Sequence, residues 1–284
     1  MTTSPLRLRN RALLRSRFGR DVRSVIVWRG PSVFNSAPVE LVLSHLTYTP
    51  SNTKIGDMVQ GWVIAQNEHP QEVIEQARKS GDHPVCGNCE HYKSKACYVM
   101  TKSIGSVYNG SKVVLNMEDP QDVLFLGTIL SGFFLRMGAY GDPMAVPSWL
   151  WLILASMVKG HTGYTHAWSH ILSDRKKWAP TYAEYRGLLM ASTDSEEETR
   201  AAAELGWRCF EVRPEFSTEG TDGSQVCPAF SIGLSCARCR KCDGLSRGAR
   251  RPSIWIPSHG AKSHLFRASV EVSDLIRATM PWLS

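Results

Sequence analysis

Seven of the eight cysteines in this 284-residue chain lie in two short clusters, and their spacing constrains the fold more than any other feature. The first cysteine set is Cys86, Cys89 and Cys97, and the second cysteine set is Cys227, Cys236, Cys239 and Cys242. Cysteines two residues apart in a tight loop direct both sulfurs at one centre, so the pattern predicts two metal sites. Four thiolates can complete a tetrahedral site, whereas three leave one coordination position open for chemistry.

Other interpretations of these cysteines stay open at the level of sequence. Disulfides are one, although no hydrophobic signal segment opens the chain and an oxidising compartment is not indicated. A structural zinc at the second cysteine set is another. A structural zinc at the first set, with His83 or His91 as the fourth ligand, is a third.

Strands and helices alternate along the chain, which predicts an α/β fold with a parallel sheet. The predicted strands are Leu41–Leu46, Met58–Ala65, Phe133–Met137, His161–Trp168, Gly187–Ser192, Trp207–Val212 and Ile254–Pro257. The predicted helices are Gln71–Lys79, Ser148–Lys159, the segment from the capping box Thr193-x-x-Glu196 to Leu205, and Val270–Thr279. Several strands end in polar or glycine-rich tips, as in a (β/α) barrel. We therefore expect a complete or partial (β/α) barrel with a cysteine-rich metal-binding C-terminal segment.

Charge divides the chain unevenly. Residues 1–30 contain eight arginines and one acid, Asp21, while the remainder has equal numbers of basic and acidic residues. We expect 1–37 to be an irregular or weakly helical basic arm. It could be a disordered leader, or it could bind the phosphates of a nucleic acid without sequence specificity. The expected catalytic domain is 38–226, and the cysteine-rich segment is 227–284.

The segment from Arg136 to Pro143, RMGAYGDP, carries the sharpest signal outside the cysteines. Gly138 and Gly141 allow backbone conformations that other residues avoid and would let a ligand approach closely. Asp142 follows at a strand end and could bind a ligand amine or act as a base. The competing interpretation is a turn in which Asp142 bonds its own backbone.

Two further strand ends carry candidate residues. Tyr164, His166 and Trp168 would share one face of a strand and could stack on a planar substrate such as a base, or could belong to the core. We take Tyr164 and His166, with Asp142, as candidate catalytic residues. Ser192 and Asp194 precede a predicted helix N-terminus, which is explained by capping but can also bind an anionic cofactor group.

Four motifs together resemble an uncharacterised family found in phages, plasmids and bacterial genomes: CGNCEHYKSKACYV (86–99), RMGAYGDP (136–143), HTGYTHAW (161–168) and CPAFSIGLSCARCRKCDG (227–244). The layout is also similar, more distantly, to radical S-adenosylmethionine enzymes. That resemblance implies an iron–sulfur cluster on the first cysteine set, S-adenosylmethionine as cofactor with Gly141 and Asp142 near its amine, and a second cluster or zinc on the second set. The spacing C-x2-C-x7-C and the aspartate depart from that family, which has C-x3-C-x2-C and a glutamate.

A rival resemblance is to guanine transglycosylases, barrels that hold a zinc on closely spaced cysteines and a histidine. It implies a zinc on Cys236, Cys239 and Cys242 with His259 or His264, and a nucleophile at Asp142 or Asp194. The first cysteine set has no counterpart there.

Three functions therefore stand as expectations. The first is a metal-dependent enzyme that modifies a nucleic acid or nucleotide. The second is a zinc-containing base-exchange enzyme, and the third is a non-enzymatic nucleic-acid-binding protein stabilised by zinc. The longest apolar stretch, Met144 to Val158, is interrupted by Pro147 and too short to span a bilayer. We accordingly expect a cytoplasmic protein with no membrane partner.

Overall fold

The computed structural model describes residues 4–97, 99, 101–110, 112–214, 216–248, 251–259 and 263–266. Its strands are β1 Ser24–Pro31, β2 Pro38–Ser44, β3 Met58–Ala65, β4 Lys112–Val114, β5 Phe134–Tyr140, β6 His161–Thr165, β7 Met190–Thr193, β8 Cys209–Arg213, β9 Gln225–Val226 and β10 Ile254–Pro257. Its α-helices are α1 Pro5–Phe18, α2 Pro70–Ser80, α3 Glu90–Lys93, α4 Thr101–Tyr108, α5 Pro120–Leu130, α6 Ser148–Met157, α7 His170–Ser173, α8 Arg175–Leu188, α9 Glu196–Glu204, α10 Pro228–Ser231 and α11 Cys236–Cys239.

The ten strands form one sheet in the order β4-β1-β2-β3-β5-β6-β7-β8-β10-β9. Strand β2 runs antiparallel to both of its neighbours, and every other pairing in the sheet is parallel. The mixed α/β class predicted from sequence is confirmed. The sheet is not closed, because β4 and β9 end the order without pairing to each other, so a complete barrel is not what forms.

The parallel part of the sheet places one edge of the molecule in position for a site. From β3 through β5, β6, β7 and β8 to β10, each strand is parallel to the next, so their carboxyl ends share one edge. Ligands bind outside the carboxyl ends of strands in open α/β sheets. Helices α6 and α8 pack beside these strands, and their buried side chains, such as Trp151 and Tyr185, belong to the main core.

The N-terminal segment, predicted as an irregular or weakly helical arm, contains one helix and one strand. Residues Pro5–Phe18 form α1, and β1 is an internal strand of the sheet. Arg7 is fully buried, pairs with Asp57 and lies over the ring of Phe133. Asn10 is also buried and donates to two backbone carbonyls of the body. This segment is therefore packed into the described fold.

Most predicted elements occur with shifted ends. The bounds of β3 and β10 match the prediction, whereas residues 187 and 188 end α8 and do not open β7. The N-cap of α9 is Ser195, whose hydroxyl accepts from the Glu198 N–H, while the Glu198 carboxylate accepts from the Asp194 N–H. The capping box is thus Ser195-x-x-Glu198 and not Thr193-x-x-Glu196. The helix predicted at 270–279 lies outside the described residues.

A search of the described residues for a helix long and apolar enough to cross a bilayer finds none.

His45 gives the fold a predicted dependence on pH. Burial, reinforced by the Arg7 guanidinium, lowers the pKa of His45 from 6.5 to about 4. Between these two pH values the unfolded chain binds a proton at His45 that the folded chain does not bind. The contribution of neutral His45 to the unfolding free energy, present above pH 6.5, is therefore lost as the pH falls towards 4. Wild type loses unfolding free energy between pH 7 and pH 5, and we expect this loss to be smaller by roughly 2 kcal/mol in His45→Asn. Urea unfolding at both pH values measures it.

Asparagine suits this test because His45 has a φ of 65°, in the left-handed region that asparagine tolerates. His264→Gln, at an exposed position, is the matched control and should leave the pH dependence unchanged. Parallel pH profiles for wild type and His45→Asn would contradict the prediction.

Candidate metal and cofactor site

The first cysteine set lies against the carboxyl end of β5. The Asp142 N–H donates to the Val85 carbonyl over 2.6 Å, and the Gly141 N–H donates to the Cys86 sulfur. The backbone N–H of His91 donates in the same way to the Cys89 sulfur. The sulfurs of Cys86 and Cys89 thus accept backbone hydrogen bonds, which stabilise thiolates at a metal centre.

The three thiols of the first set lie within electrostatic reach of one another. Burial raises the pKa of Cys86 well above its usual value, and Cys89, Cys97 and Asp142 raise it further. Burial also raises the pKa of Cys89. Deprotonating these thiols together therefore requires a cation between them.

The spacing of the sulfurs is wider than a single zinc ion needs. Thiolates on one tetrahedral zinc are about 3.8 Å apart, since Zn–S bonds are about 2.3 Å. The structure describes all seven clustered cysteines, and in neither set do three sulfurs lie within 4.8 Å of one another. The sulfurs of each set therefore leave more room between them than one zinc ion fills.

Asp142 is fully engaged by hydrogen bonds inside the protein. Its carboxylate accepts from the Met144 N–H at 2.9 Å, from the Thr165 hydroxyl at 2.8 and 3.0 Å, and from the His166 N–H at 2.8 Å. A carboxylate has about four acceptor positions, and three donors, Met144 N–H, Thr165 O–H and His166 N–H, occupy most of them. Asp142 thus joins the end of β5 to the end of β6, and the turn interpretation describes its environment.

The two glycines of this motif are required by packing against the protein. Gly138 and Gly141 have φ values of 66° and 74°. A Cβ on Gly141 would come within 2.6 Å of the Val63 carbonyl oxygen, and one on Gly138 within 2.7 Å of the Pro143 ring. The space that a side chain would fill at these two glycines is therefore occupied by the Val63 backbone and the Pro143 ring.

Beside the first cysteine set, three side chains from separate elements converge. His91 lies on α3, His166 follows β6, and Asp194 follows β7. Their ligand atoms all lie within 4.8 Å of one another, and His91 Nε2 is 2.9 Å from Asp194 Oδ2. Burial lowers the pKa of His91, but the charge of Asp194 and its hydrogen bond outweigh this and raise that pKa overall.

The second cysteine set surrounds a small cavity. All four of its cysteines line this cavity, together with Thr162, Tyr164 and Ile254. Burial raises the pKa of Cys242, which also hydrogen-bonds the Tyr164 hydroxyl and faces the other three thiols. Burial and the cysteine charges raise the pKa of Tyr164 well above its usual value in turn.

Backbone contacts and one ion-pair network fix the second set on the sheet. The N–H groups of Cys236 and Ala237 donate to the carbonyls of Lys54 and Ile55, just before β3. Arg208 is buried, pairs with Asp243 at 3.2 Å, and donates to carbonyls on both sides of Cys242. Cys236 therefore lies just before β3, while Tyr164 of β6 and Ile254 of β10 border the same cavity.

The predicted aromatic face on 161–168 does not form. Strand β6 ends at Thr165, and Ala167–Ser169 is a 3-10 turn, so Tyr164, His166 and Trp168 do not continue one strand face. Tyr164 faces the second cysteine set, whereas His166 lies at the trio with His91. The Trp168 indole donates to the Ser192 carbonyl and is buried in the core.

The remaining predicted residues have other surroundings. The Ser192 side chain is buried, and Asp194 belongs to the trio described above. His259 and His264 do not line the cavity of the second cysteine set, where Cys227 supplies the fourth thiol. His83 is buried and accepts from the Val85 N–H through Nδ1, with its ring against Tyr92.

Two residues at the first set escaped the sequence analysis. Tyr140 is buried with its hydroxyl unpartnered among the described residues, and burial plus the charges of Cys86 and Cys97 raise its pKa well above 10. Thr165 bonds both oxygens of Asp142. Tyr140 lies in the segment RMGAYGDP and Thr165 in HTGYTHAW. The candidate residues next to them at these strand ends were the sequence feature that could have indicated their position.

Fold and site together define an open, mostly parallel α/β protein with two cysteine-lined centres. Comparison of the chain with protein-family models, curated proteins and solved structures finds no significant match. The geometry of the described residues is therefore the basis for assigning a function to the protein.

Asp142→Asn should destabilise the fold because asparagine has one acceptor oxygen and would turn an amide towards a donor. We expect a loss of about 2–4 kcal/mol in unfolding free energy, in line with the cost of breaking hydrogen bonds to a buried charge. Thermal and urea unfolding measure it.

Asp174→Asn is the matched control, because Asp174 is an exposed N-cap that accepts from the Lys177 N–H and asparagine caps equally well. An Asp142→Asn protein as stable as wild type would show that the hydrogen bonds of Asp142 do not support the fold.

Proposed function

We propose that this chain is an iron–sulfur enzyme of radical S-adenosylmethionine-like type that modifies a nucleic acid or nucleotide. The observation that carries the proposal is the position of the first cysteine set. Its three thiols face one another on the connection between the parallel neighbours β3 and β5, and hydrogen bonds hold them against the end of β5.

The order of the parallel strands supports the proposal. Strands β3, β5, β6, β7, β8 and β10 are neighbours in chain order, which is how the strands of a partial (β/α) barrel follow one another. The resemblance noted from sequence places three cysteines after the first such strand and a Gly-rich motif at the end of the next. In this proposal the first cysteine set, which follows β3, and Gly141-Asp142-Pro143, which follows β5, would have those two roles.

The donor set suits a cluster better than a single ion. Three thiolate ligands leave one iron of a four-iron cluster open, and there the bound cluster would supply the electron that cleaves S-adenosylmethionine. The wide sulfur spacing and the hydrogen bonds from Gly141 and His91 to the sulfurs favour this assignment. In this proposal Asp142 is a positioning residue, because its oxygens already hold β5 and β6 together.

The second cysteine set is assigned to a second cluster. Four thiols can ligate every corner of such a centre, so it would have no open position for substrate. Its sulfur spacing exceeds what one zinc requires. Tyr164 hydrogen-bonds one of its ligands, Cys242, and would tune that centre.

Arginines in the N-terminal segment support the substrate class. Seven of the eight arginines in residues 1–30 have exposed side chains, whereas the rest of the chain is neutral overall. Arg11 and Arg23 line a surface cavity together with Thr47, Tyr48 and one acidic residue, Asp21. Two guanidinium groups beside an aromatic ring suit a phosphate and a base.

Metal and sulfide analysis of protein purified without oxygen tests the cluster assignment. We expect roughly eight irons per chain with matching sulfide and a broad absorbance near roughly 400 nm. Cys89→Ser should lose about half of this iron and should abolish 5′-deoxyadenosine formation from S-adenosylmethionine and dithionite.

Cys209→Ser is the matched control, because Cys209 is buried outside both sets and its thiol donates only weakly to the Thr199 carbonyl. It should keep full iron content. A colourless protein that contains zinc alone would overturn the iron–sulfur assignment and would favour the base-exchange or the zinc-stabilised binding function.

Nucleic-acid binding is tested by substitution and not by truncation, because α1 and β1 are part of the fold. We expect Arg11→Gln combined with Arg23→Gln to weaken binding to a single-stranded oligonucleotide. The slope of log K against log salt should become shallower by about 1.4, because each phosphate that no longer meets an arginine changes the slope by about 0.7. Fluorescence anisotropy at several salt concentrations measures both quantities.

Lys79→Gln combined with Lys95→Gln is the charge-matched control. Equal binding and equal salt slopes for both double variants would count against nucleic acid as the ligand of the N-terminal segment.

A further inference from the structure

The trio of His91, His166 and Asp194 has the composition of a mononuclear metal site. Its members come from α3 and from the ends of β6 and β7, so the fold brings together residues that are far apart in sequence. Their three ligand atoms lie within 4.8 Å of one another, and all other described His, Cys, Asp and Glu residues lack such a grouping of three or more. The trio shares no residue with either cysteine set, although His91 lies between Cys89 and Cys97 in the chain.

Two atoms of the trio have no partner although they are buried. His166 Nε2 and Asp194 Oδ1 are each shielded from solvent and make no hydrogen bond among the described residues. A buried imidazole nitrogen and a buried carboxylate oxygen without partners each cost free energy. Both atoms are ligands that a divalent cation accepts.

The donor types of the trio and the separation of one of its ligand pairs suit a particular class of metal. Two ligand atoms at about 2.1 Å from the same ion and 2.9 Å apart subtend about 90° at that ion. A tetrahedral zinc would need about 3.4 Å between the same atoms. Two imidazoles and one carboxylate are also the donors of the facial arrangement that leaves three positions open on an octahedral ion.

We propose that His91, His166 and Asp194 bind one divalent first-row metal ion of octahedral preference, of the Mn²⁺ or Fe²⁺ class. The ion replaces the proton shared by His91 and Asp194 and satisfies the two unpartnered atoms. It lies beside Cys89, at the edge where β5, β6 and β7 end. The assignment does not depend on which metal the cysteine sets hold.

Manganese binding tests the proposal, because Mn²⁺ prefers nitrogen and oxygen ligands and competes poorly for thiolates. The full chain is purified without oxygen, its metal content is measured, and Mn²⁺ is titrated while the electron paramagnetic resonance signal of free Mn²⁺ is followed. We expect about one Mn²⁺ per chain and a several-degree rise in Tm at saturating metal.

His166→Gln should weaken Mn²⁺ binding by at least about 10-fold while the fold is kept, because the Nε2 atom that it alters makes no hydrogen bond with the described residues. Asp194→Asn should do the same, and circular dichroism and the iron content of the cysteine sets report whether each variant is folded. His264→Gln and Asp222→Asn, both at exposed positions, should bind like wild type.

Equal Mn²⁺ affinity in wild type and His166→Gln would overturn the proposal. So would a wild-type chain that contains no metal beyond its cysteine sites and does not reduce the free Mn²⁺ signal. In that case the trio is an ion pair that supports the fold, and Asp194→Asn would lower Tm whether or not Mn²⁺ is present.

Discussion

The buried carboxylate of Asp142 is the interaction on which the candidate site depends. It accepts hydrogen bonds from its own turn and from Thr165 and His166, so it sets the distance between the ends of β5 and β6. The same residue donates its N–H to Val85, immediately before Cys86. One residue therefore positions the cysteine loop, His166 and the strand ends relative to each other, and a change there would move all three.

The cysteine sets contain buried thiols whose ionisation the surrounding protein disfavours. Burial raises the pKa of Cys86, Cys89 and Cys242, so the thiols stay neutral unless a metal centre supplies positive charge. If the proposed centres bind, folding and metal binding are coupled, because the thiols gain their full stabilisation only with the centre present. Cys209 shows the contrast: burial raises its pKa to about 12, with no other thiol beside it among the described residues, and it packs as a small apolar side chain.

Short-range patterns in the sequence predicted the features that depend on residues close together in the chain. The cysteines of each set do converge, and β3 and β10 have the expected bounds, because these features depend on neighbours within about ten residues. The burial of Arg7 against Asp57 depends on a partner 50 positions away, so composition alone gave no sign that the predicted irregular or weakly helical arm packs against the body. The His91–Asp194 pair joins residues still further apart, and no sequence pattern marked it.

The two cysteine sets are physically connected through β6. Tyr164 hydrogen-bonds Cys242 of the second set, while the next residue, Thr165, bonds Asp142 beside the first set. Successive residues of a strand point to opposite faces and rise about 3.3 Å, so one short strand contacts both surroundings. A change of charge at either centre therefore acts on a strand that also positions the other. Because His166 directly follows β6, the same strand places a ligand of the proposed mononuclear site, and the three centres share one rigid support.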